Sequence, residues 1–150
     1  MMTTGRRSWL AALSVGVMTM AMGSVGHAQV SPGLRDATLT LENHIQWSAV
    51  SPAWVAQRPA WIAAVRSADS PQSLAQRILQ LETAMGWGSV QPSWRQERPR
   101  WVQSAQGANT DGHVARVLIG LEAAILWSAV TPAWRARRPA WVRQVQAEVH

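Results

Sequence analysis

The amino-acid sequence predicts an all-α chain of three tandem helical units, and three observations predict it. A cassette reading WSAVSPAWVAQRPAW runs from Trp47 to Trp61. It returns as WGSVQPSWRQERPRW from Trp87 to Trp101 and as WSAVTPAWRARRPAW from Trp127 to Trp141, each time offset by 40 residues without insertion. Ahead of each cassette lies a run of apolar residues at helical spacing. Nine columns are identical in all three copies: Leu41, Glu42, Trp47, Val50, Pro52, Trp54, Arg58, Pro59, Trp61 and their counterparts. A period of this length marks architectures whose units bury their apolar faces only by stacking on one another. The units span about 31–70, 71–110 and 111–150, and three of them can form a small solenoid or a compact helical bundle.

The first 28 residues read as a signal peptide. Arg6 and Arg7 supply a positive start, Trp9 to Met22 is uncharged and mostly apolar, and Gly26-His27-Ala28 offers small residues for cleavage. Arg6-Arg7-Ser8-Trp9-Leu10 also resembles a twin-arginine export signal. The expected location is therefore the periplasm or the exterior, with peripheral attachment to the membrane as a further option. The domain proper is 29–150. It has no cysteine, so its fold rests on packing and not on disulfides.

Within each unit the first helix is introduced by a capping residue. Ser31-Pro32 and Ser70-Pro71 place a hydroxyl at the N-cap and proline in the first turn, and Thr110 with Asp111 serves the third unit. The first of these helices is expected from about Pro32 to Trp47. The buried faces are Leu34, Leu41 and Ile45; Leu74, Ile78, Leu81 and Met85; and Val114, Leu118, Leu121 and Ile125. Ser51-Pro52, Gln91-Pro92 and Thr131-Pro132 then open a short second helix, with Gln91 the poorer cap. This helix is expected to stop at Arg58, Arg98 and Arg138. The prolines that follow disfavour helical geometry in the preceding residue and lack a backbone donor. Each of those prolines opens a medium third helix, with Trp61, Ile62 and Val65 and their counterparts on its apolar face.

Tryptophan is the only large aromatic in the chain, with no phenylalanine or tyrosine. Trp47, Trp61, Trp87, Trp101, Trp127 and Trp141 are expected as core residues wedged between helices, where each removes a large area from water. Trp54, Trp94 and Trp134, on the short second helix near charged neighbours, are the candidates for an exposed stacking platform. Glu42 with Arg58, Glu82 with Arg98, and Glu122 with Arg138 are expected as structural ion pairs, one per unit.

All 14 basic residues are arginine, against 8 acidic residues. The basic charge grows toward the C-terminus, where Arg135, Arg137, Arg138 and Arg143 stand without an acid among them. With Trp134, the residues Arg135, Arg137 and Arg143 form a candidate binding surface for an acidic protein or anionic lipid. Fixed unit positions and export argue against nucleic acid as the partner. His44, His113 and His150 occupy unrelated positions, so no metal-ligand spacing arises. No nucleophile elbow, phosphate loop or dinucleotide fingerprint is present. The expectation is a non-catalytic protein without cofactor: a scaffold, assembly factor or small accessory subunit of a larger envelope complex, such as a dehydrogenase. The alternative is a Trp/Arg module that binds envelope polysaccharide or anionic lipid.

Overall fold

The computed structural model describes residues 29–149, and the expected signal peptide lies outside them. The described residues are all-helical, with seven α-helices and no strand beyond two isolated bridges. In chain order these are α1 (Pro32–Asn43), a single turn α2 (Trp47–Val50), α3 (Pro52–Arg66), α4 (Pro71–Met85), α5 (Trp94–Gln106), α6 (Asp111–Ala124) and α7 (Pro132–Gln146). Short 3-10 turns at Trp87–Ser89 and Trp127–Ala129 occupy the places that correspond to α2. No described helix is long and apolar enough to cross a membrane.

The caps on the inner helices follow from local chemistry. The Ser31 hydroxyl accepts from the Gly33 N–H, and the Thr110 hydroxyl from the His113 N–H. Ser70 and Ser73 cap each other reciprocally at the start of α4. Gln91 does not cap, and α5 accordingly begins only at Trp94. Ser51 and Thr131 hold the N-cap positions of α3 and α7 but make no side-chain cap bond.

α1, α4 and α6 pack on one another in the centre through Leu34, Leu74 and Val114 and through Leu41, Leu81 and Leu121, all fully buried. The three outer helices bridge them: α3 lies over α1 and α4, α5 over α4 and α6, and α7 over α6 and α1. The bundle is thereby closed. One bond type marks each seam, an indole N–H given to a mid-helix carbonyl of the next inner helix. Trp61 donates to Arg77 at 3.0 Å, Trp101 to Val117 at 2.8 Å, and Trp141 to Ala37 at 2.9 Å. The last of these joins the last described helix to the first. Ser31 to Glu148 and Ser31 N–H to Asp111 hold the two ends at the same edge.

Two helix boundaries differ from expectation. α1 stops at Asn43 rather than Trp47, because the chain leaves helical geometry to pair with a neighbouring segment. The Gln46 N–H bonds the Ala129 carbonyl and the Thr131 N–H bonds the His44 carbonyl. More consequentially, the expected break at Arg58-Pro59 does not occur. α3, α5 and α7 run straight through Pro59, Pro99 and Pro139. Trp54, Arg58, Trp61 and Val65 recur at steps of four, three and four, so they share one face of one helix. That face is anchored on both sides of the proline, while Pro59, Pro99 and Pro139 are exposed. There the lost backbone bond can be met by water. Anchoring of both halves outweighs the proline penalty of roughly 3 kcal/mol. Pro99→Ala should therefore stabilise the protein by about 1–2 kcal/mol, since some of the restored helix energy is offset by a freer unfolded chain. A higher urea midpoint for the variant is the check, and a lower one would mean that the proline itself packs.

Candidate binding surface

The identical charged columns meet under the outer helices. Glu42 is 1% exposed; its Oε2 accepts from the Trp54 indole N–H at 3.0 Å and from Arg58 Nε, and its Oε1 from Arg58 Nη2 at 2.8 Å. Glu82 receives Trp94 at 3.0 Å and Arg98 at 2.8 and 3.0 Å. Glu122 receives Trp134 at 3.0 Å and Arg138 at 2.7 and 2.9 Å, here through Nε alone. The three ion pairs among the described residues are these three. The hydrogen bond to glutamate raises the Arg58 and Arg98 guanidinium groups above the ordinary arginine value, against the opposing effect of burial and with the glutamate charge adding. While the glutamate is ionised, this stabilisation is present below the ordinary arginine value and is lost as pH rises through the raised one. Each carboxylate is thus held by one indole and one guanidinium, and no cluster of metal-ligating side chains occurs among the described residues.

Trp54, Trp94 and Trp134, expected as an exposed platform, are in the core at 5%, 3% and 1% exposure. Their indole N–H groups need the buried glutamates, and each ring meets the third tryptophan of its cassette edge-to-face at 5.4–5.7 Å. They cannot serve as stacking platforms. Trp61, Trp101, Trp141 and Trp47 are buried, whereas Trp87 and Trp127, also expected in the core, are 44% exposed. In the second and third cassettes the first and second tryptophans thus exchange their expected roles, while the third stays buried.

What covers the exposed indoles is arginine. The Arg95 guanidinium lies 4.5 Å from the Trp87 ring centre, with Arg98 at 5.9 Å, and Arg135 lies 4.9 Å from Trp127. In the first cassette the place of Arg95 and Arg135 is taken by Val55, which is exposed, and Trp47 has turned inward. It packs on Trp54 at 5.3 Å and donates its indole N–H to the Glu42 backbone carbonyl. The variable column Val55/Arg95/Arg135 was the signal available in the sequence for which tryptophan would be exposed. Arg100, Arg137 and Arg143 are also exposed and form no ion pair. Around α7 they do not form one face with Arg135. Arg135 and Arg137 flank the buried stripe on opposite sides, and Arg143 points away from it.

The seams are unequal. Between α3 and α4 lies an open groove of about 870 Å³, floored by Trp54 and Trp61 and walled by Ala56, Ala60, Ala64 and Ala84. Between α5 and α6 the cavity is about 340 Å³. There Gly120 admits Trp101 so closely that an added methyl would come within 3.3 Å of the ring. Between α7 and α1, the His44 ring covers Trp134 at 4.9 Å, where the groove has Ala84 over Trp54.

Residues 32–87 match a family described as a domain of unknown function (DUF8799). The matched stretch contains α1 to α4, the Glu42–Trp54–Arg58 cluster and every residue that lines the larger groove. No curated protein and no solved structure matches the chain.

Proposed function

We propose that this chain is a non-catalytic exported adaptor: a scaffold, assembly factor or small accessory subunit of a larger periplasmic or membrane-associated complex. In this reading its three 40-residue units close into a ring that presents binding elements on the outside. Small exported helical subunits of membrane-bound dehydrogenases are an analogue in size and compartment. The observation that carries the reading is the pair of exposed tryptophan–arginine stacks. A guanidinium held over an indole face can leave N–H donors free for a carboxylate. Arg95 and Arg135 sit in the first turn of α5 and α7, where the helix dipole disfavours a cation, so helix stability does not account for their placement. Acidic side chains of a partner protein are the complement.

The test is purification from native membranes followed by mass spectrometry, with a large partner expected in stoichiometric amount. Trp87→Ala and Trp127→Ala together should abolish that association, while each lowers stability by less than about 1 kcal/mol, since a half-exposed ring contributes little to folding. Association that survives both changes would sink the role of the stacks. A second reading, a module for envelope polysaccharide or anionic lipid, is favoured by the exposed indoles of Trp87 and Trp127 with Arg95 and Arg135 beside them. It requires retention on lipopolysaccharide or anionic vesicles in the absence of any protein partner.

A further inference from the structure

The groove between α3 and α4 holds a cation at a position where the other two seams have none. Ala37, Arg77 and Val117 occupy one column of the 40-residue unit. Their backbone carbonyls accept the indole N–H of Trp141, Trp61 and Trp101 in turn. Ala37 and Val117 are buried apolar residues, 1% and 3% exposed. In α4 the same position carries a half-buried arginine that lines the groove. Its Nη1 donates to the Gln80 side chain at 3.1 Å, and its Nε is buried without a hydrogen-bond partner. Arg77 belongs to none of the three ion pairs among the described residues, and no acidic residue lines the groove. A buried N–H without an acceptor is costly in any fold. Packing alone does not account for a guanidinium where this fold elsewhere takes alanine or valine.

The same seam is left open by its connecting segment. The tetrapeptide Trp-Ser-Ala-Val occurs twice, at 47–50 and 127–130. At 127–130 it is a 3-10 turn followed by extended Val130, which is buried and zipped to the end of α1 opposite Ile45. Ser89–Gln91 does the same at the end of α6. There Gln91 N–H bonds the Ala124 carbonyl at 2.8 Å and Leu126 N–H the Ser89 carbonyl at 2.9 Å. At 47–50 the peptide is an α-turn, Ser51 N–H bonds back to the Trp47 carbonyl, and Ala49 is exposed. α4 meanwhile stays helical to Met85, so no bridge forms between the two.

We propose that this groove is a binding site for a small amphiphilic anion, an unbranched acyl chain that ends in a carboxylate. The Nε–Nη2 edge of a guanidinium offers a carboxylate two parallel donors. By that edge Arg58 holds Glu42 and Arg98 holds Glu82. In Arg77 it holds no carboxylate, so the charge that complements the groove must come from a ligand. The body of the groove is apolar. Trp54 and Trp61 form its floor, and Ala56, Ala60 and Ala64, at steps of four, present a row of methyl groups along α3. Arg77 and Ala84 stand seven residues apart on α4, so roughly 10 Å of channel leads away from the cation. The volume of about 870 Å³ is that of a small-molecule site. A peptide tail fits less well. The helices that wall the groove bond their own backbone groups, the Thr83 hydroxyl donates to the Leu79 carbonyl, and Gln80 is engaged by Arg77. Peptide groups laid here would lack partners.

The site stands apart from the arginine–tryptophan stacks and is tested on the purified protein without a partner. Octanoate is titrated into the isotopically labelled protein at about pH 7, where its carboxyl is ionised, and to about 10 mM, a range suited to so small a ligand. Saturable shifts are expected at the Arg77 Nε–H and at the indole N–H groups of Trp54 and Trp61. Octanol, with the same chain and no charge, should bind about tenfold more weakly, for want of the charge-assisted pair. Arg77→Val copies the residue of α6 and should weaken octanoate by a similar factor while leaving octanol unchanged. Ala84→His places over Trp54 the ring that His44 places over Trp134, and should weaken both ligands. The melting temperature verifies that the variants are folded. If Arg77→Val does not fold, the ratio of octanoate to octanol affinity and the Ala84→His variant carry the test. No saturable shift, octanol bound as tightly as octanoate, or octanoate undiminished in Arg77→Val would each overturn the proposal. So would tighter binding of the tripeptide Ala-Ala-Val with a free terminal carboxylate, which would make the occupant a polypeptide tail.

Discussion

Trp134→Ala should destabilise the protein by about 3–5 kcal/mol, the range for truncating a large aromatic in a core that cannot collapse around the cavity. Trp134 is 1% exposed and has three dependants. Its ring carries His44 at 4.9 Å and Trp141 at 5.4 Å, and its indole N–H is one of the donors to the buried Glu122 carboxylate. Removal therefore leaves a cavity, loosens the seam where α7 returns to α1, and takes a hydrogen bond from an ionised group. Trp127→Ala, seven residues earlier in the same cassette, should cost less than about 1 kcal/mol, because that ring is already largely in water. Urea denaturation of the two variants, followed by helical circular dichroism, separates them. Equal midpoints would contradict the assignment of one tryptophan to the core and the other to the surface.

Glu82→Gln should cost about 3 kcal/mol, at the lower end of the 3–5 kcal/mol for removing one partner of a buried ion pair. The lower end applies because the Arg98 side chain is 33% exposed and can recover some hydration, whereas Glu82 is 6% exposed. The amide can still accept from the Trp94 indole, but it cannot accept both Arg98 bonds and it carries no charge. Arg98→Gln should cost a comparable amount by leaving the Glu82 carboxylate buried without its cation. The double variant should fall well short of the sum, since two neutral amides no longer strand a charge. Strict additivity in this cycle would show that the two side chains do not act as a pair. The same experiment on Glu122 and Arg138 is expected to give a smaller coupling, because that arginine engages through Nε alone.

Much of the fold could be read from residue types because its causes are local. Ser31, Ser70 and Thr110 announce the inner helices by capping chemistry. The leucines and isoleucines of α1, α4 and α6 declare a buried stripe by their spacing. The columns Glu42, Arg58 and their counterparts announced a pair, since an acid and an arginine that recur together in each unit need one another. Pro59 misled for an instructive reason. Its effect on the backbone is real, but it acts on one hydrogen bond, whereas Trp54, Arg58, Trp61 and Val65 tie the helix to the bundle on both sides. Their four-three-four spacing was in the sequence and outweighed the proline in the fold.

The tryptophans were harder to place, since a residue that is half hydrophobic body and half hydrogen-bond donor suits a core and a surface equally. Trp54 is buried because Glu42, twelve residues earlier and on another helix, waits for its indole N–H. Trp87 is exposed because Arg95 covers it. Neither partner is adjacent in the chain.

Local chemistry, readable along the chain, accounts for the all-helical class, the period of the units, the caps and the residues of the charged columns. Only the folded ring assigns which indoles face water, closes α7 onto α1, and leaves one seam open where two are zipped. The two copies of Trp-Ser-Ala-Val make the reason plain. Identical in sequence, they differ in structure, because each is stabilised by groups supplied from other segments: a guanidinium and a pairing edge for one, a buried indole ring and a backbone carbonyl for the other.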